Sequence, residues 1–301
     1  MILLGNRIKT TKRLLLTGAR GFTGQHLIPL AQEIGYEVSS LKANLNDAKA
    51  LDQEVKDCLP DVVIHCAGIS FVPSQDEEAF YRVHALGTSN LLKSLAQLSS
   101  KPTKILLASS ATVYGNASIT PTPETHQLIP IDHYAMSKVA MEEMAKTFYE
   151  ELPIVIARPF NYTGPGQRGN FLIPKLIHHF SQRLPSIALG NLNVQREFND
   201  VTTICEAYVS LLEHGQPGEV YNVGTGQIHS LLEVVEILQQ ITGHSIEIES
   251  NQNLIRTNEI QCMRSDPSKL MSLLKANKIE LTIPSLTDTL NAMLKAASLP
   301  K

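Results

Sequence analysis

The sequence Thr17-Gly18-Ala19-Arg20-Gly21-Phe22-Thr23-Gly24 begins at the last residue of an expected buried strand, 13–17, and opens a helical pattern that ends near Ile34. Glycines at such a turn allow the backbone to bend sharply, to approach a pyrophosphate and to pack a helix closely on a strand. The start of the helix supplies unpaired N–H groups that attract phosphate. Three glycines alone also fit an ordinary turn. Their place between a strand and a helix predicts a dinucleotide-binding site.

Short apolar runs alternate with helical patterns through the first half of the chain. Further strands are expected over 36–39, 61–65, 104–108 and 153–157, with a helical stretch over 77–99. This alternation is typical of parallel sheets in α/β proteins. We predict an α/β fold with a Rossmann-type, doubly wound parallel sheet.

The second half has Pro- and Gly-rich connections between shorter helices, expected over 171–183, 201–213 and 230–242. The last begins with Ser230 and Glu233, the spacing of a capping box. A smaller α/β C-terminal lobe is therefore expected. We divide the chain into a cofactor-binding domain, 12–160, to which later segments return, and a mainly substrate-binding lobe, 161–301.

The composition argues against several classes of protein. With 26 Lys and Arg against 29 Asp and Glu, the net charge of −3 offers no basic surface to a nucleic acid. Apolar runs fall well short of the roughly 18 residues that span a bilayer, so no membrane partner is expected. The four cysteines are scattered, and basic residues follow the apolar N-terminus, the reverse of a secretory signal. We expect a cytoplasmic protein.

Tyr134 and Lys138 are four residues apart in a helical pattern, which puts both side chains on one face. A nearby ammonium lowers the pKa of a phenol, so Tyr134 is expected to exchange a proton with a ketone or an alcohol. The hydroxyl-rich sequence 109–112 ends an expected strand, where α/β enzymes place active-site groups. A Tyr-x-x-x-Lys pair is common by chance, and its coincidence with these hydroxyls and the glycine turn predicts an active site.

Four stretches carry a family resemblance: the glycine turn, 109–115, Tyr134-Ala135-Met136-Ser137-Lys138, and Arg158-Pro159-Phe160-Asn161-Tyr162-Thr163-Gly164-Pro165-Gly166. Together they resemble the extended short-chain dehydrogenase/reductases that act on nucleotide sugars, over about residues 12–290. The resemblance implies an NAD(P)-dependent oxidoreductase with a nucleotide-sugar substrate.

The resemblance also implies roles for individual residues. Tyr134 would be the catalytic acid or base, Lys138 would assist it and bind the nicotinamide ribose, and Ser110 would bind the substrate oxygen, with Ser109 as the rival. Asn44-Leu45 and Asp47 stand where the family usually has an Asp-Leu pair near the adenine, a departure from its pattern. The expected cofactor contacts are Gly18, Arg20, Gly21, Phe22, Thr23, Gly24, Asn44, Leu45, Ala67, Gly68, Tyr134 and Lys138.

The end of the second expected strand helps to distinguish NAD(H) from NADP(H) as the cofactor. Residues 38–42 lack the acidic side chain that would bind the 2′-hydroxyl of NAD. Arg20, with Lys42 or Ser39, could bind a 2′-phosphate through charge and hydrogen bonds. We predict NADP(H), with NAD(H) as the alternative if Arg20 and Lys42 are only solvated surface cations.

The reaction is narrowed by Ala111 and Thr112. The family's 4,6-dehydratases need a carboxylic side chain two residues after the catalytic hydroxyl, and neither residue can replace it. The second half most resembles the reductases of GDP-4-keto-6-deoxy-D-mannose, which implies reduction to GDP-D-rhamnose or its C4 epimer, in deoxysugar synthesis for lipopolysaccharide O-antigen. The alternatives are a 4-epimerase with tightly bound NAD, a reductase of a dTDP-linked sugar, and a redox sensor, which the Tyr134–Lys138 pair disfavours.

The same resemblance implies the substrate contacts. Arginines suit the diphosphate because the guanidinium fork pairs with two oxygens, although each could instead form an ion pair between lobes. Arg158 is expected to be structural, as is His84, which stands where the family commonly has Asn. The expected substrate contacts are Ser110, Thr112, Asn161, Arg196, Arg256 and Glu259.

Two further expectations concern metal and assembly. His178 and His179 are adjacent and would point about 100° apart on a helix, so no metal site is expected. The resemblance implies a homodimer through a bundle of helices. Met141, Met144, Ala145 and Phe148 are candidates for that face, and they fit an intramolecular core equally well.

Overall fold

The computed structural model describes residues 11–70, 76–251 and 259–298. The strands in these ranges are β1 (Arg13–Thr17), β2 (Glu37–Ser40), β3 (Val62–His65), β4 (Lys104–Ala108), β5 (Ile154–Pro159), β6 (Tyr162–Thr163), β7 (Ser186–Leu189), β8 (Gln195–Glu197), β9 (Asn199–Asp200), β10 (Val220–Val223), β11 (Ile228–Ser230), β12 (Glu247–Ser250) and β13 (Cys262–Met263). The α-helices are α1 (Phe22–Glu33), α2 (Ala48–Cys58), α3 (Glu78–Tyr81), α4 (Thr88–Ala96), α5 (His133–Lys146), α6 (Leu172–Ser181), α7 (Val201–His214), α8 (Leu231–Thr242), α9 (Ser268–Ala276) and α10 (Leu286–Ala297).

A parallel sheet forms the centre of the described part of the chain, with six strands in the order β2-β1-β3-β4-β5-β10. Leu15 of β1 lies between Ser39 of β2 and Val63 of β3. The chain leaves β1 first toward β2 on one side and then toward β3 on the other, so a crevice opens at the carboxyl ends of β1 and β3. The predicted α/β fold with a Rossmann-type parallel sheet is confirmed.

Helices cover both faces of the sheet. α1, α7 and α9 bury apolar side chains such as Leu27 and Leu270 on one face. α2, α4 and α5 cover the other face, with Leu51 and Leu91 in its core. In the described ranges, no helix is both long and apolar enough to cross a membrane.

A smaller cluster of elements lies beside this sandwich. α6, α8, α10 and β7 share a core that includes Leu176, Val234 and Leu290. Short strands join it, with β7 beside β12, β8 between β11 and β13, and β6 beside β9. The predicted smaller α/β lobe is confirmed.

Helix ends agree with the sequence patterns at some positions and differ at others. The capping box of α8 is confirmed, because the Ser230 hydroxyl accepts the Glu233 N–H at 3.1 Å and the Glu233 carboxylate accepts the Ser230 N–H. The expected helical stretch over 77–99 is present as α3, a π-helical turn over Arg82–Gly87, and α4. The turn contains one residue more than an α-helical turn would, which composition does not reveal.

Two of the four residues suggested for a dimer face lie in the core of the chain itself. Met141 is 1% exposed and Ala145 is fully buried, so neither can present a surface. Met144 and Phe148 are half-buried against the same core as Ala145. The intramolecular alternative is correct for Met141 and Ala145, and the homodimer itself stays a prediction.

Candidate active site

The glycine turn between β1 and α1 is packed against the end of β3. Gly18 has φ of +74°, and a Cβ there would lie 2.7 Å from the backbone nitrogen of Ala67. A Cβ on Gly24 would lie 2.6 Å from the Cα of Ala19, inside the same turn. The Gly21 N–H closes the turn on the Gly18 carbonyl at 2.9 Å. Any side chain at Gly18 or Gly24 would therefore collide with the backbone.

The start of α1 is open to an anion. Gly21 precedes the helix and, having no side chain, cannot accept a hydrogen bond from the N–H groups of the first turn. No acidic residue lies in that turn. Free N–H groups and a positive helix end are the features that bind a pyrophosphate, so these residues fit a dinucleotide.

The predicted cofactor contacts outside the start of α1 differ in their exposure to solvent. Arg20 and Asn44 are exposed, whereas Leu45 is buried. The Asn44 side chain accepts the Asn46 N–H at 3.0 Å, and Asp47 caps α2 by accepting the Ala50 N–H at 3.1 Å. Asp47 thus has a structural role in α2.

A carboxylate that the sequence patterns did not reveal lies at the end of β2. Glu54, from α2, accepts the backbone N–H of Lys42 at 2.8 Å and of Ala43 at 2.7 Å. Residues 38–42 themselves lack an acidic side chain, and Glu54 places one beside them from α2. Glu54 is twelve residues from Lys42 in sequence, and only the folding of α2 against this loop brings the two together.

Ser110, Tyr134 and Lys138 meet beyond the carboxyl end of β4. Asp132 caps α5 by accepting the Ala135 N–H at 2.8 Å, which fixes the first turn where Tyr134 lies. The Ser110 hydroxyl lies beside the Tyr134 phenol, close enough to lower the pKa of that phenol. Lys138 donates from Nζ to the Ala108 carbonyl at 2.9 Å.

Thr112 joins the same group of hydroxyls. Ser110 caps a 3₁₀ turn, Ala111–Tyr114, and accepts hydrogen bonds from the Thr112 N–H at 3.2 Å and the Thr112 hydroxyl at 2.9 Å. Those two bonds leave the Ser110 proton free to be donated toward the phenol. Three hydroxyls therefore converge in one place, as a site that binds a ketone or alcohol oxygen requires.

Ser109, the rival of Ser110, belongs to a buried polar network. Its hydroxyl donates to the carboxylate of Glu142, which is fully buried. Arg158 donates from Nε to the same carboxylate at 3.0 Å and from Nη1 to the Tyr114 phenol at 2.8 Å. Arg158 thus has the structural contacts expected of it, and the Ser109 hydroxyl is held away from Tyr134.

Burial, and not the ammonium, controls the charge state of Tyr134. Desolvation raises the pKa of the Tyr134 phenol above its usual value of 10.0, and the Ser110 hydroxyl offsets this rise only in part. Burial also lowers the pKa of Lys138 to about 8. The expectation that Lys138 lowers the pKa of Tyr134 is wrong here, because both charged forms are disfavoured by loss of water. A phenol with a raised pKa is protonated at neutral pH and suits a proton donor.

A histidine that the sequence patterns did not single out supports the glycine turn. His65, at the end of β3, hydrogen bonds through Nδ1 to the Thr17 hydroxyl at 2.6 Å and through Nε2 to the Thr88 hydroxyl at 2.9 Å. Thr17 in turn accepts the Ala67 N–H at 3.0 Å. In the sequence, the only sign of these contacts is a histidine at the end of an apolar run that predicts a strand.

Tyr162 connects the start of α1 to the second half of the chain. Its phenol hydrogen bonds to the Thr23 hydroxyl at 2.7 Å, and its ring stacks on Phe22 with centroids 5.9 Å apart. Tyr162 directly follows Asn161, a predicted substrate contact that is exposed. This contact brings a predicted substrate segment to the glycine turn.

The remaining predicted substrate contacts cluster at the start of β13. The Arg196 guanidinium donates to the carbonyls of Ile260, Gln195 and Gln261, the last two at 2.8 and 3.3 Å. Among the described residues Glu259 Oε2 is one of four buried side-chain atoms without a hydrogen-bond partner. Arg256 lies outside the described residues.

This cluster is adjacent to the hydroxyl group. Ile260 and Met263 pack in one apolar cluster with Ala111, Tyr114 and Phe160. The Ala111–Tyr114 turn is the one that Ser110 caps. The structure therefore brings the Glu259 segment beside the turn that carries Ser110.

The two adjacent histidines do not converge. Their rings are 5.9 Å apart and nearly perpendicular, and His179 Nδ1 is bonded to the Lys175 carbonyl at 2.8 Å. Across 11–70, 76–251 and 259–298, no group of three His, Cys, Asp or Glu side chains is arranged to hold a metal ion.

Comparison with known proteins supports this picture. The NAD dependent epimerase/dehydratase family model matches residues 14–224. GDP-6-deoxy-D-talose 4-dehydrogenase of Aggregatibacter actinomycetemcomitans is 33% identical over 87% of this chain and 91% of its own length. GDP-6-deoxy-D-mannose reductase of Pseudomonas aeruginosa is 34% identical over 86% of this chain and 90% of its own length.

A solved structure extends the similarity to three dimensions. The structure of RMD from Pseudomonas aeruginosa complexed with NADPH superposes with a TM-score of 0.84 and 31% identity, over 95% of this chain and 98% of that one. The predicted resemblance to extended short-chain dehydrogenase/reductases and the predicted NAD(P)-dependent oxidoreductase class are confirmed. By its sequence, its sheet and its glycine turn, this chain belongs to the NAD dependent epimerase/dehydratase family.

Proposed function

We propose that this protein reduces the 4-keto group of a nucleotide-linked 4-keto-6-deoxy sugar, GDP-4-keto-6-deoxy-D-mannose, to GDP-D-rhamnose or its C4 epimer. The observation that carries the proposal is the Ser110 hydroxyl, joined by that of Thr112, beside a phenol that burial keeps protonated. The names of two relatives, a GDP-6-deoxy-D-talose 4-dehydrogenase and a GDP-6-deoxy-D-mannose reductase, support the nucleotide and the sugar.

The chain supplies an acid and an oxyanion partner for this reduction. The Tyr134 phenol gives its proton to the sugar O4 as the ketone becomes an alcohol, and Ser110 donates a hydrogen bond to the same oxygen. The Lys138 ammonium, which donates to the Ala108 carbonyl, would bind the nicotinamide ribose, and solvent would return a proton to the phenolate. Bound reduced nicotinamide supplies the hydride for C4.

The residues of the glycine turn fit the cofactor. The N–H groups at the start of α1 would hold its pyrophosphate, with Gly18, Gly21 and Gly24 allowing close approach. Ala67, Gly68, Tyr134 and Lys138 would contact the nicotinamide half, and Asn44 and Leu45 the adenine half. A nicotinamide cofactor is supported by the relatives, and we propose NADPH on the basis of the exposed Arg20 and Lys42, with NADH as the alternative that Glu54 favours.

On the substrate side we propose Ser110 and Thr112 for the keto oxygen. Asn161 and Arg196 would bind the diphosphate, together with Arg256. Glu259, whose Oε2 is buried without a partner in the described part of the chain, would bind ribose hydroxyls. The homodimer and the cytoplasmic location are part of the same proposal.

The assay is the oxidation of NADPH by the purified protein in the presence of GDP-4-keto-6-deoxy-D-mannose, followed by absorbance. We expect Tyr134→Phe to reduce kcat by at least about 100-fold, the effect of losing a general acid. Tyr149→Phe is the matched control, because its phenol is half-buried against the core and has no hydrogen-bond partner in the described residues. We expect the control to retain wild-type turnover.

The other outcomes separate the alternatives. Turnover of a dTDP-linked 4-keto sugar, with none of the GDP-linked sugar, would support the 4-keto reduction and contradict the GDP-linked substrate. Interconversion of C4 epimers without net NADPH oxidation would replace the reductase by a 4-epimerase. Equal turnover by wild type and Tyr134→Phe would contradict the assignment of Tyr134.

A further inference from the structure

His84 lies at the centre of the π-helical turn and touches the ring of Tyr134. It is fully buried, and its ring meets Tyr134 edge to face with centroids 5.5 Å apart. Phe80 stacks on His84 at 5.9 Å and meets Tyr134 edge to face at 5.8 Å. The Tyr134 ring is therefore held by two other rings from one helical segment.

The hydrogen bonds of His84 fix a single tautomer. The Ile69 N–H donates to Nε2 at 3.0 Å, so Nε2 carries no proton. The proton is then on Nδ1, which donates to the Ser137 hydroxyl at 2.8 Å. Ser137 in turn donates to the backbone carbonyl of Tyr134 at 2.7 Å. One continuous chain of bonds joins the loop after β3 to the first turn of α5.

His84 keeps this arrangement because it stays neutral. Burial, and to a smaller extent the nearby Lys138, lower the pKa of His84 to about 2. Protonation would remove the lone pair that accepts the Ile69 N–H. The imidazole is thus a fixed connector and has no part in proton transfer.

The connected loop includes a predicted cofactor contact. A Cβ on Gly68 would lie 3.0 Å from His84 Nε2 and 3.6 Å from Lys138 Nζ, so the loop, the imidazole and the ammonium meet at one point. His84 therefore contacts both the loop at Gly68 and the ring of Tyr134.

We propose that His84, acting through Ser137 and Ile69, is a positioning residue that sets the orientation of the Tyr134 phenol relative to the 67–69 loop. The inference rests on the proposed role of Tyr134. The positioning role of His84 also gives the π-helical turn a function, because the turn places the imidazole at the start of α5. It also replaces the general structural role expected for His84 with a specific one.

Ser137→Ala tests the chain of bonds with a small change. Its matched control is Ser210→Ala, since Ser210 is also buried in a helix and donates to a backbone carbonyl of the preceding turn, that of Glu206 at 2.8 Å. We expect Ser137→Ala to lower kcat about 10-fold with little change in KM, since small misplacements of a reacting group slow the reaction. Ser210→Ala should retain wild-type kcat.

The substitutions His84→Phe and His84→Asn separate the effects of the two hydrogen bonds that the imidazole makes. Phenylalanine keeps a ring against Tyr134 and loses both hydrogen bonds, and we expect kcat to fall about 100-fold and the dissociation constant for NADPH to rise. Asparagine can still donate to Ser137 and is too short for Ile69. We expect it to restore part of kcat and none of the NADPH affinity.

A spectroscopic readout does not depend on turnover. With 3-fluorotyrosine incorporated, the ¹⁹F signal of Tyr134, assigned by its loss in Tyr134→Phe, should move in Ser137→Ala and stay in place in Ser210→Ala. If wild type is inactive on every keto sugar, the proposed function fails and this signal alone decides the role of His84. An unchanged Tyr134 signal in Ser137→Ala, with kcat equal to that of the control where turnover is measurable, overturns the proposal, even if His84→Phe fails to fold.

Discussion

His65 lies buried between the hydroxyls of Thr17 and Thr88, and burial lowers its pKa from 6.5 to about 3. Unfolded His65 therefore binds a proton below pH 6.5, whereas folded His65 does not until about pH 3. The stability that the neutral imidazole contributes is present above pH 6.5 and is lost as the pH falls toward 3.

We expect this loss to be visible in acid. Between pH 7 and pH 5 the free energy of unfolding of wild type should fall by about 2 kcal/mol more than that of His65→Gln, from the pKa difference and about 1.4 kcal/mol per pKa unit. Urea unfolding at the two pH values measures it. Equal losses in the two proteins would mean that His65 is accessible to protons in the folded state.

The position of Glu54 allows the proposed cofactor preference to be tested. Its carboxylate is held at the end of β2 by the N–H groups of Lys42 and Ala43, so its charge opposes a 2′-phosphate there. We expect Glu54→Gln to shift the ratio of dissociation constants toward NADPH over NADH by about fivefold, roughly the 1 kcal/mol of one solvated charge contact. Lys42→Gln should shift this ratio toward NADH.

Fluorescence titration of the reduced nicotinamides at low salt measures both constants. Glu143→Gln, on α5 and exposed, is the charge-matched control and should leave the ratio unchanged. The shifts should shrink in 1 M salt because exposed charges are then screened. If neither Glu54→Gln nor Lys42→Gln moves the ratio, the end of β2 does not face the 2′ position.

At the scale of elements, we expect the cap on the first turn of α5 to affect both the stability of the protein and its turnover. Asp132 caps this turn, and Ser230 caps α8 in the smaller core. We expect Asp132→Ala and Ser230→Ala each to lower the free energy of unfolding by about 1 kcal/mol. Only Asp132→Ala should also lower kcat, because it loosens the turn that carries Tyr134. Equal kcat in the two variants would show that the cap has no influence on the phenol.

The central elements could be predicted from the sequence because their signals are local. β1, β3 and β4 are apolar runs that end in a glycine, a histidine or a serine cluster, and the glycine turn lies between a strand and a helix. The π-helical turn could not be predicted, since it has the composition of an α-helix and its extra residue is selected by packing against α5. The strands β6, β8 and β9 are two or three residues long, too short to show an alternation, whereas the four residues of β7 do alternate.

At the scale of the whole molecule, the site depends on contacts between distant segments. The sequence predicted Ser110, Tyr134 and Lys138 as a group, and the structure brings them together. It could not predict the raised pKa of Tyr134, because desolvation depends on how α5 packs against its neighbours. Nor could it predict that Glu54 reaches β2 or that Tyr162 reaches Thr23, since these pairs are far apart in sequence and have no shared pattern.

The central claim is that hydride goes to C4 of a keto sugar while Tyr134 supplies the proton. The most direct measurement is a reaction of the purified protein with GDP-4-keto-6-deoxy-D-mannose and NADPH that carries two deuterium atoms at the nicotinamide C4. We predict one NADPH oxidised for each sugar and a single deuterium at C4 of the product, found by mass spectrometry and NMR. A product without deuterium at C4, or interconversion of epimers with no NADPH consumed, would contradict the account.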